Sequence, residues 1–315
     1  MVPDGRLESH RVSLRTNTAR LGGPPKKGED AVSIEDGERR VEEGVRTDFR
    51  SRMDYGAYLD LDKLLDSQHP VSTPVHPDEL LFIIQHQTTE LWFKLVLHEL
   101  ESVRTYLQAH DVSRARKALA RVKHIFRTLA EQWSVLATLT PSEYAEFRGF
   151  LGSASGFQSY QYRSVEFILG NKNAGMLPVF AAKPEQQERL RQLLDSPTVY
   201  DAFLRFLVAH GHDVPTDILE RDVTQAWTQQ AGLIPVFQRI YENPNAHWAE
   251  YAMCEDLVDL EDAFQFWRFR HLRTVQRTIG YKRGTGGSSG VDFLKRALDL
   301  TFFPELYSVR TEIGG

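Results

Sequence analysis

The chain has a single cysteine, Cys254, so it can form neither an intrachain disulfide nor a metal site built from several thiolates. Long apolar runs are missing too. The longest, residues 80–84, falls far short of the roughly 20 residues that a membrane-spanning helix needs. The N-terminus carries acidic side chains and no apolar segment of the kind found in secretory signals. We therefore expect a protein of the reducing cytoplasm, with no membrane association and with Cys254 as a small buried residue.

A strong excess of charge of one sign is also missing. The 315 residues include 38 Lys and Arg against 43 Asp and Glu, a net charge of −5. Proteins that bind nucleic acid through its phosphates usually carry a basic surface, so we expect no nucleic-acid partner. A content of 41% hydrophobic and 26% charged residues is typical of a soluble globular protein.

Alternating, β-branched stretches of the strand type are almost absent, whereas apolar residues recur at spacings of three and four from Tyr55 onward. This pattern predicts a single all-α domain over residues 51–315. Residues 1–50 are charged, contain glycine and proline, and predict a disordered tail. After the segment around Tyr55, helices are predicted over residues 76–108, 115–139, 141–150, 157–168, 184–195, 198–209, 221–241, 247–279 and 291–300.

Three of these helices have local signals of their own. Pro77 is expected at the first position of the helix that begins near residue 76. Thr140 and Glu143 have the spacing of a capping box. An apolar stripe marks the 115–139 helix as one that packs in a core, and its members are Leu119, Val122, Phe126, Leu129, Trp133 and Leu136.

Two polar, glycine-rich breaks interrupt the helical pattern, at residues 151–156 and 282–290. Neither matches a nucleotide-binding or hydrolase motif, because Ser289 stands where a dinucleotide loop needs glycine and Ala154 stands where a nucleophile elbow places its serine. Both breaks are candidate ligand loops, with a flexible turn as the plain alternative.

Two histidines occupy helical faces that are predicted to point inward. His86 shares a face with Phe82, and His271 follows a stripe that includes Phe264 and Trp267. Either histidine alone would be explained by a hydrogen-bonded structural role. Together, on long aromatic-rich helices, they are typical of a bundle that holds a flat apolar cofactor such as haem. Whether one or both would bind iron does not follow from their spacing.

A second possible metal pair is His210 and His212, although their glycine-broken segment predicts solvated side chains. Tyr144 and Arg148 share one stripe of the capped helix beside the first glycine-rich break. A guanidinium backed by a hydroxyl is suited to binding a carboxylate, and a solvent-exposed arginine is the alternative.

Four segments, which occur in family order, resemble the tryptophan 2,3-dioxygenase family. They are YGAYLDL at residues 55–61, ELLFIIQHQTTELWFK at 79–94, FRGFLGSASGFQS at 147–159, and WRFRH at 267–271 followed by GYKRGTGGSSG at 280–290. The resemblance covers most of the chain from about residue 52 to 310. No long insertion separates the segments, as in the compact bacterial form of the family.

This resemblance implies an all-α homotetramer with one haem b per subunit, ferrous in the active form. The implied reaction inserts both atoms of O2 across the indole C2–C3 bond of L-tryptophan and gives N-formyl-L-kynurenine, the first step of the kynurenine pathway. The alternatives are a haem-binding sensor without turnover and a related haem dioxygenase that acts on another indole.

By residue match, the resemblance also implies roles for single side chains. His271 would be the proximal iron ligand, and His86 would be the distal histidine that meets the indole N–H. Arg148 and Tyr144 would hold the substrate carboxylate, with Thr285 near the ammonium and carboxylate groups. The pocket would be lined by Phe82, Leu151, Ser155 and Gly156. A neighbouring subunit's pocket would be reached by Tyr55, Tyr58 and Leu59.

Overall fold

The protein is described here by a computed structural model that covers residues 41–50 and 52–314. Within these residues the chain forms helices and no strand, so the predicted all-α class is confirmed. None of the described helices is long and apolar enough to cross a membrane. The described α-helices, in chain order, are α1 (Tyr55–Leu59), α2 (Leu61–Leu65), α3 (Glu79–Gln108), α4 (Val112–Leu136), α5 (Pro141–Arg148), α6 (Tyr160–Leu169), α7 (Pro184–Leu194), α8 (Val199–Ala209), α9 (Thr216–Leu219), α10 (Ile234–Glu242), α11 (Trp248–Ile279), α12 (Val291–Leu298) and α13 (Pro304–Ser308).

The chain divides into two compact units between Leu61 and Asp62. Most of the predicted disordered tail, residues 1–40, lies outside the described residues, and residues 41–50 are exposed and not helical. In the first unit, the Asp54 carboxylate accepts a hydrogen bond from the Ala57 amide and caps α1. The prediction of one domain over 51–315 stays a prediction.

The centre of the second unit is formed by its three longest helices, α3, α4 and α11. Helix α4 packs against both of the others. All six residues of the predicted α4 stripe are buried, which confirms that interpretation. Opposite them on α11, Leu257, Leu260, Phe264 and Trp267 recur at spacings of three and four and are buried as well. This packing fixes the position of the middle of α11 against α4.

The capping box that opens α5 is confirmed. The Thr140 hydroxyl accepts a hydrogen bond from the Glu143 amide at 3.4 Å, and the Glu143 carboxylate accepts one from the Thr140 amide at 2.8 Å. The α-helix ends at Arg148, two residues before the predicted end, and the chain continues as a 3-10 turn over Gly149–Leu151. Arg148 therefore lies at the helix end that adjoins the first glycine-rich break.

Pro77 does not occupy the first position of a helix, contrary to the prediction. Helix α3 begins at Glu79, and Pro77 lies in the turn before it. The Glu79 carboxylate folds back to accept hydrogen bonds from the amides of Val71 and Ser72. This buried contact fixes a turn at residues 76–78, where the local pattern alone predicts helix.

The predicted helix over 221–241 is wrong in its first half, since only Ile234–Glu242 is α-helical. Long-range contacts hold residues 221–230 in an irregular path. The Glu305 carboxylate accepts hydrogen bonds from the Trp227 indole at 3.1 Å and from the Gln230 amide at 2.6 Å. Arg221 is paired with Asp201 at 2.8 Å. Tertiary contacts override the local helical preference here.

A buried arginine connects α11 to its neighbours. Arg268 donates to the Glu166 carboxylate of α6 at 2.9 Å and to the Tyr162 hydroxyl at 3.2 Å. It also donates to the carbonyl of Ala297 at 2.9 Å and that of Leu300 at 3.2 Å, near the end of α12. Glu166 is bonded to Arg163 as well, at 2.5 Å. One guanidinium thus ties three segments together.

We expect Glu166→Ala to lower the free energy of unfolding by about 3–5 kcal/mol, because two buried guanidinium groups lose their shared carboxylate. Urea denaturation followed by circular dichroism measures the change. Glu188→Ala is the matched control, since Glu188 forms an exposed i,i+3 pair with Arg191 at 2.6 Å. Its loss should cost about 0.5 kcal/mol or less. Equal losses for the two variants would show that Glu166 is not essential to the packing.

Candidate active site

One cavity of about 780 Å³ lies in the second unit, a volume suited to a small organic ligand. Parts of α3, α4, α5, α11 and α12 enclose it together with both glycine-rich breaks. The structure brings together at this cavity all the predicted site residues of the second unit, namely Phe82, His86, Tyr144, Arg148, Leu151, Ser155, Gly156, His271 and Thr285.

His271 lies on α11 in an aromatic setting. Its ring stacks on Trp133 with centroids 4.6 Å apart and an interplanar angle of 9°, and Trp267 lies 5.8 Å away. Among the described residues, neither ring nitrogen has a hydrogen-bond partner. Burial and, to a smaller extent, the charge of His86 lower the pKa of His271 to about 4. The ring is therefore neutral at pH 7, which is the form that binds metals.

His86 lies on α3 with its ring 4.3 Å from that of Phe82, centroid to centroid. Its Nδ1 is 2.7 Å from the backbone carbonyl of Phe82. Because a carbonyl can only accept, Nδ1 carries the proton, and Nε2 of the neutral ring is an acceptor. Burial lowers the pKa of His86, although the bond to Phe82 and the charge of Glu90 act in the opposite direction. The cavity thus contains one imidazole without hydrogen bonds and a second with a fixed tautomer.

Arg148 and Tyr144 lie one turn apart on α5, at another part of the cavity wall. The Nη2 group of Arg148 donates to the carbonyl of Arg283, in the second glycine-rich break. Its Nε is buried without a partner in the described part of the chain. Burial raises the pKa of the Tyr144 hydroxyl, so this group stays protonated. A partner-free Nε–H group beside a hydroxyl can bind a carboxylate.

The two glycine-rich breaks meet over the cavity. The Thr285 hydroxyl donates to the carbonyl of Ala154, which links the second break to the first. A Cβ on Gly286 would lie 2.7 Å from the Cβ of Ser155, so only glycine allows this approach. A Cβ on Gly290 would lie 2.5 Å from the carbonyl oxygen of Lys282, and its φ of +64° also favours glycine. Both breaks line the cavity, as expected of ligand loops.

A family model described as tryptophan 2,3-dioxygenase matches residues 39–194 and 180–313 of this chain. A tryptophan 2,3-dioxygenase of Kineococcus radiotolerans is 65% identical over 282 residues, which cover 90% of this chain and 99% of that protein. One of Arthrobacter sp. (strain FB24) is 62% identical, with 90% and 100% covered. One of Serratia proteamaculans is 56% identical, with 88% and 99% covered.

The chain belongs to the tryptophan 2,3-dioxygenase family. The resemblance stated from four short segments is therefore confirmed over most of the sequence. The predicted enzyme class, a dioxygenase of tryptophan catabolism, is confirmed by the same matches. The roles of single residues stay predictions.

Sequence reasoning missed the contact of Trp133 with this site. Trp133 belongs to the α4 stripe and was interpreted as core, yet it also lies flat against His271. Its indole Nε1 is buried and has no hydrogen-bond partner among the described residues. No local signal separates Trp133 from the other apolar members of its stripe, because its contact with His271 depends on how α4 and α11 pack.

The three remaining predicted residues lie on α1, in the first unit. Tyr55 is 75% exposed and Tyr58 is 72% exposed, and Leu59 is exposed as well. Tyr55 and Tyr58 are three residues apart and share a helix face. None of the five residues of α1 is buried.

We expect Gly286→Ala to separate the two glycine-rich breaks, because the new methyl group would collide with Ser155. Limited trypsin digestion checks this, since the exposed Lys282 and Arg283 offer cleavage sites in the second break. Cleavage there should accelerate by roughly tenfold, because the free energy of local opening should fall by about 1.4 kcal/mol.

Gly149→Ala is the control for this experiment. Gly149 has helical dihedral angles, and a Cβ there would meet no atom within 4 Å. Its cleavage rate should equal that of the unaltered protein. An unchanged rate for Gly286→Ala would mean that the close approach of the two breaks does not hold the loop.

Proposed function

We propose that this chain inserts both atoms of O2 across the C2–C3 bond of L-tryptophan and releases N-formyl-L-kynurenine, the first step of tryptophan degradation by the kynurenine pathway. The observation that carries the proposal is one cavity with a partner-free imidazole, His271, and a partner-free guanidinium nitrogen on Arg148. Family membership supports the same reaction. A cytoplasmic location stays a prediction from the sequence.

The cavity fits haem b as the cofactor. His271 supplies a neutral nitrogen ligand, and its ring orientation is fixed by the stacked Trp133. The walls are mainly apolar, with buried Phe93, Leu136 and Trp267 among them, which suits a flat macrocycle. When bound, ferrous haem supplies the binding and activation of O2, and since both oxygen atoms enter the product no external reductant is needed.

The zwitterionic substrate needs a cationic group at one end and a dry aromatic wall at the other. Arg148 can direct Nε at the carboxylate while its Nη2 remains bonded to the Arg283 carbonyl. The Tyr144 and Thr285 hydroxyls supply further hydrogen bonds to the carboxylate and ammonium groups. Phe82, Leu151, Ser155 and Gly156 line the space left for the indole.

His86 is the group that meets the indole N–H in this proposal. Its Nδ1 proton is engaged by the Phe82 carbonyl, so Nε2 is free to accept the indole hydrogen bond. This contact positions C2 and C3 of the ring, and it allows Nε2 to take the indole proton if the reaction requires it. The loop that contains Thr285 lines the same cavity, and in this proposal it limits the access of water to the bound substrate.

The exposed face of α1 supports the further proposal of a homotetramer. Tyr55, Tyr58 and Leu59 would reach into the site of a neighbouring subunit, which accounts for two tyrosines exposed on one short helix. Sedimentation equilibrium of the haem-loaded protein measures the assembly. A monomer with full activity would contradict this part of the proposal.

The function is tested by reducing the haem-loaded protein without air and mixing it with L-tryptophan and O2. We expect a Soret band together with growth of the near-ultraviolet absorbance of the product. A Soret band without product would instead favour a haem sensor. Faster turnover of indole or D-tryptophan would favour a dioxygenase of another substrate, and the lack of a Soret band would contradict the proposal.

Two histidine variants assign the roles in the same assay. His271→Ala should lose stable haem, whereas His86→Ala should keep it and lose kcat by roughly tenfold to a hundredfold. His124→Ala, an exposed change on α4, is the control and should keep haem and kcat. Loss of haem in both site variants would make both histidines iron ligands and would contradict the role of His86.

We expect Arg148→Leu to raise the KM for L-tryptophan by roughly 30-fold, the equivalent of about 2 kcal/mol for a charge-assisted contact. Tryptamine, which lacks the carboxylate, should be the poorer substrate of the unaltered enzyme and should lose no further efficiency in the variant. Arg127→Leu, at an exposed position of α4, is the matched control. An Arg148→Leu enzyme that still discriminates fully against tryptamine would place this arginine away from the carboxylate.

A further inference from the structure

The prediction that His210 and His212 are both solvated is wrong for His212. His210 is exposed, but His212 is only 5% exposed. Gly211, with φ of +84°, turns the chain back after α8, and the His212 amide then donates to the Leu207 carbonyl at 3.0 Å. The turn directs the His212 side chain into the protein.

His212 meets two residues from the start of α11. His247 precedes the first residue of that helix, and Glu250 is in its first turn. One potential ligand atom from each of the three side chains lies within 4.8 Å of the other two. The imidazole rings of His212 and His247 have centroids 4.8 Å apart. Two imidazoles and a carboxylate thus converge, and none of the three lines the cavity.

These three side chains have no hydrogen bond or ion pair with any residue that the structure describes. The Nε2 atom of His212 is fully buried and unpartnered. Glu250 is 8% exposed. A buried carboxylate without a partner is costly, so the arrangement calls for a cation.

Imidazole nitrogens and a carboxylate oxygen form a donor set that divalent transition-metal ions take in proteins, and the buried, unpartnered Nε2 of His212 is available to such an ion.

We propose that His212, His247 and Glu250 bind a divalent transition-metal ion, with Zn²⁺ as the preferred metal. Two histidines and one glutamate, completed by water, form a known type of zinc ligand set. Zinc bonds of about 2.0–2.2 Å require the ligand atoms to lie closer together than they do here, so small side-chain rotations would accompany binding.

The metal would act on stability and not on the oxidation. It would connect the segment after α8 to the N-terminal end of α11. Glu250 and His271 are 21 residues apart on this helix (271 minus 250), which places them about 30 Å apart at 1.5 Å per residue. The site is therefore independent of the cavity and of the cofactor proposed for it.

The test is a titration of the haem-loaded, EDTA-treated protein with Zn²⁺ by isothermal calorimetry, with Tm measured in parallel. We expect one zinc site per chain and a Tm increase of roughly 5 °C at a hundredfold excess over Kd. His212→Ala should lose both effects. Glu250→Gln, which keeps the side-chain shape, should weaken binding by more than about tenfold, since even partners outside the ligand set contribute that much.

His210→Ala is the matched control, because His210 is two residues away and its Nδ1 is bonded to the Phe206 carbonyl. It should bind zinc as the unaltered protein does. Circular dichroism and the Soret band verify that each variant is folded. The proposal is overturned if the unaltered protein has no zinc site, or if His212→Ala and Glu250→Gln both retain it, since zinc would then be bound by other surface histidines.

Discussion

The buried guanidinium of Arg268 is the interaction on which the cavity depends. A charge in this position must be fully paired, because an uncompensated buried charge costs several kcal/mol. Its partners come from α6 and from the end of α12, so both segments have to meet α11 at this point. His271 lies three residues further along the same helix, close to one turn away. The contacts that satisfy Arg268 therefore fix α11 one turn before His271, whose lowered pKa is caused chiefly by burial.

The base and the cover of the cavity differ in how they are held. Helices packed through apolar stripes form the base, and the second glycine-rich break forms the cover. Two hydrogen bonds hold this break in place, from the Arg148 guanidinium to the Arg283 carbonyl and from the Thr285 hydroxyl to the Ala154 carbonyl. The same two side chains are those proposed to bind the substrate's polar groups. The contact with the Arg283 carbonyl orients the guanidinium through Nη2 and leaves Nε without a partner among the described residues, so the proposed carboxylate contact and the loop contact can be made together. A loop of this kind belongs to the less stable part of a fold, where opening for exchange of ligands costs little.

The features that could be predicted from sequence are those encoded within a few residues. The α4 stripe, the Thr140 capping box and the glycine-rich breaks each follow from short-range chemistry. Residues 221–230 were predicted helical and are not, because the acceptor that holds Trp227 and Gln230 is Glu305, 75 or more residues away. The stacking of Trp133 on His271 depends in the same way on the packing of two helices. Inward-facing histidines could be recognised from periodicity, but the presence or absence of their hydrogen-bond partners could not.

The lack of such partners is the property that links the two histidine sites of this chain. A buried imidazole normally has a hydrogen bond, since an unsatisfied polar group in the interior lowers stability. His271 and His212 both depart from that rule, and both have a lowered pKa caused chiefly by burial. A neutral imidazole kept dry and partner-free has its lone pair available for a metal. Helix α11 contributes to both sites, with Glu250 in its first turn and His271 in its second half, so one helix carries two positions that a bound metal would stabilise.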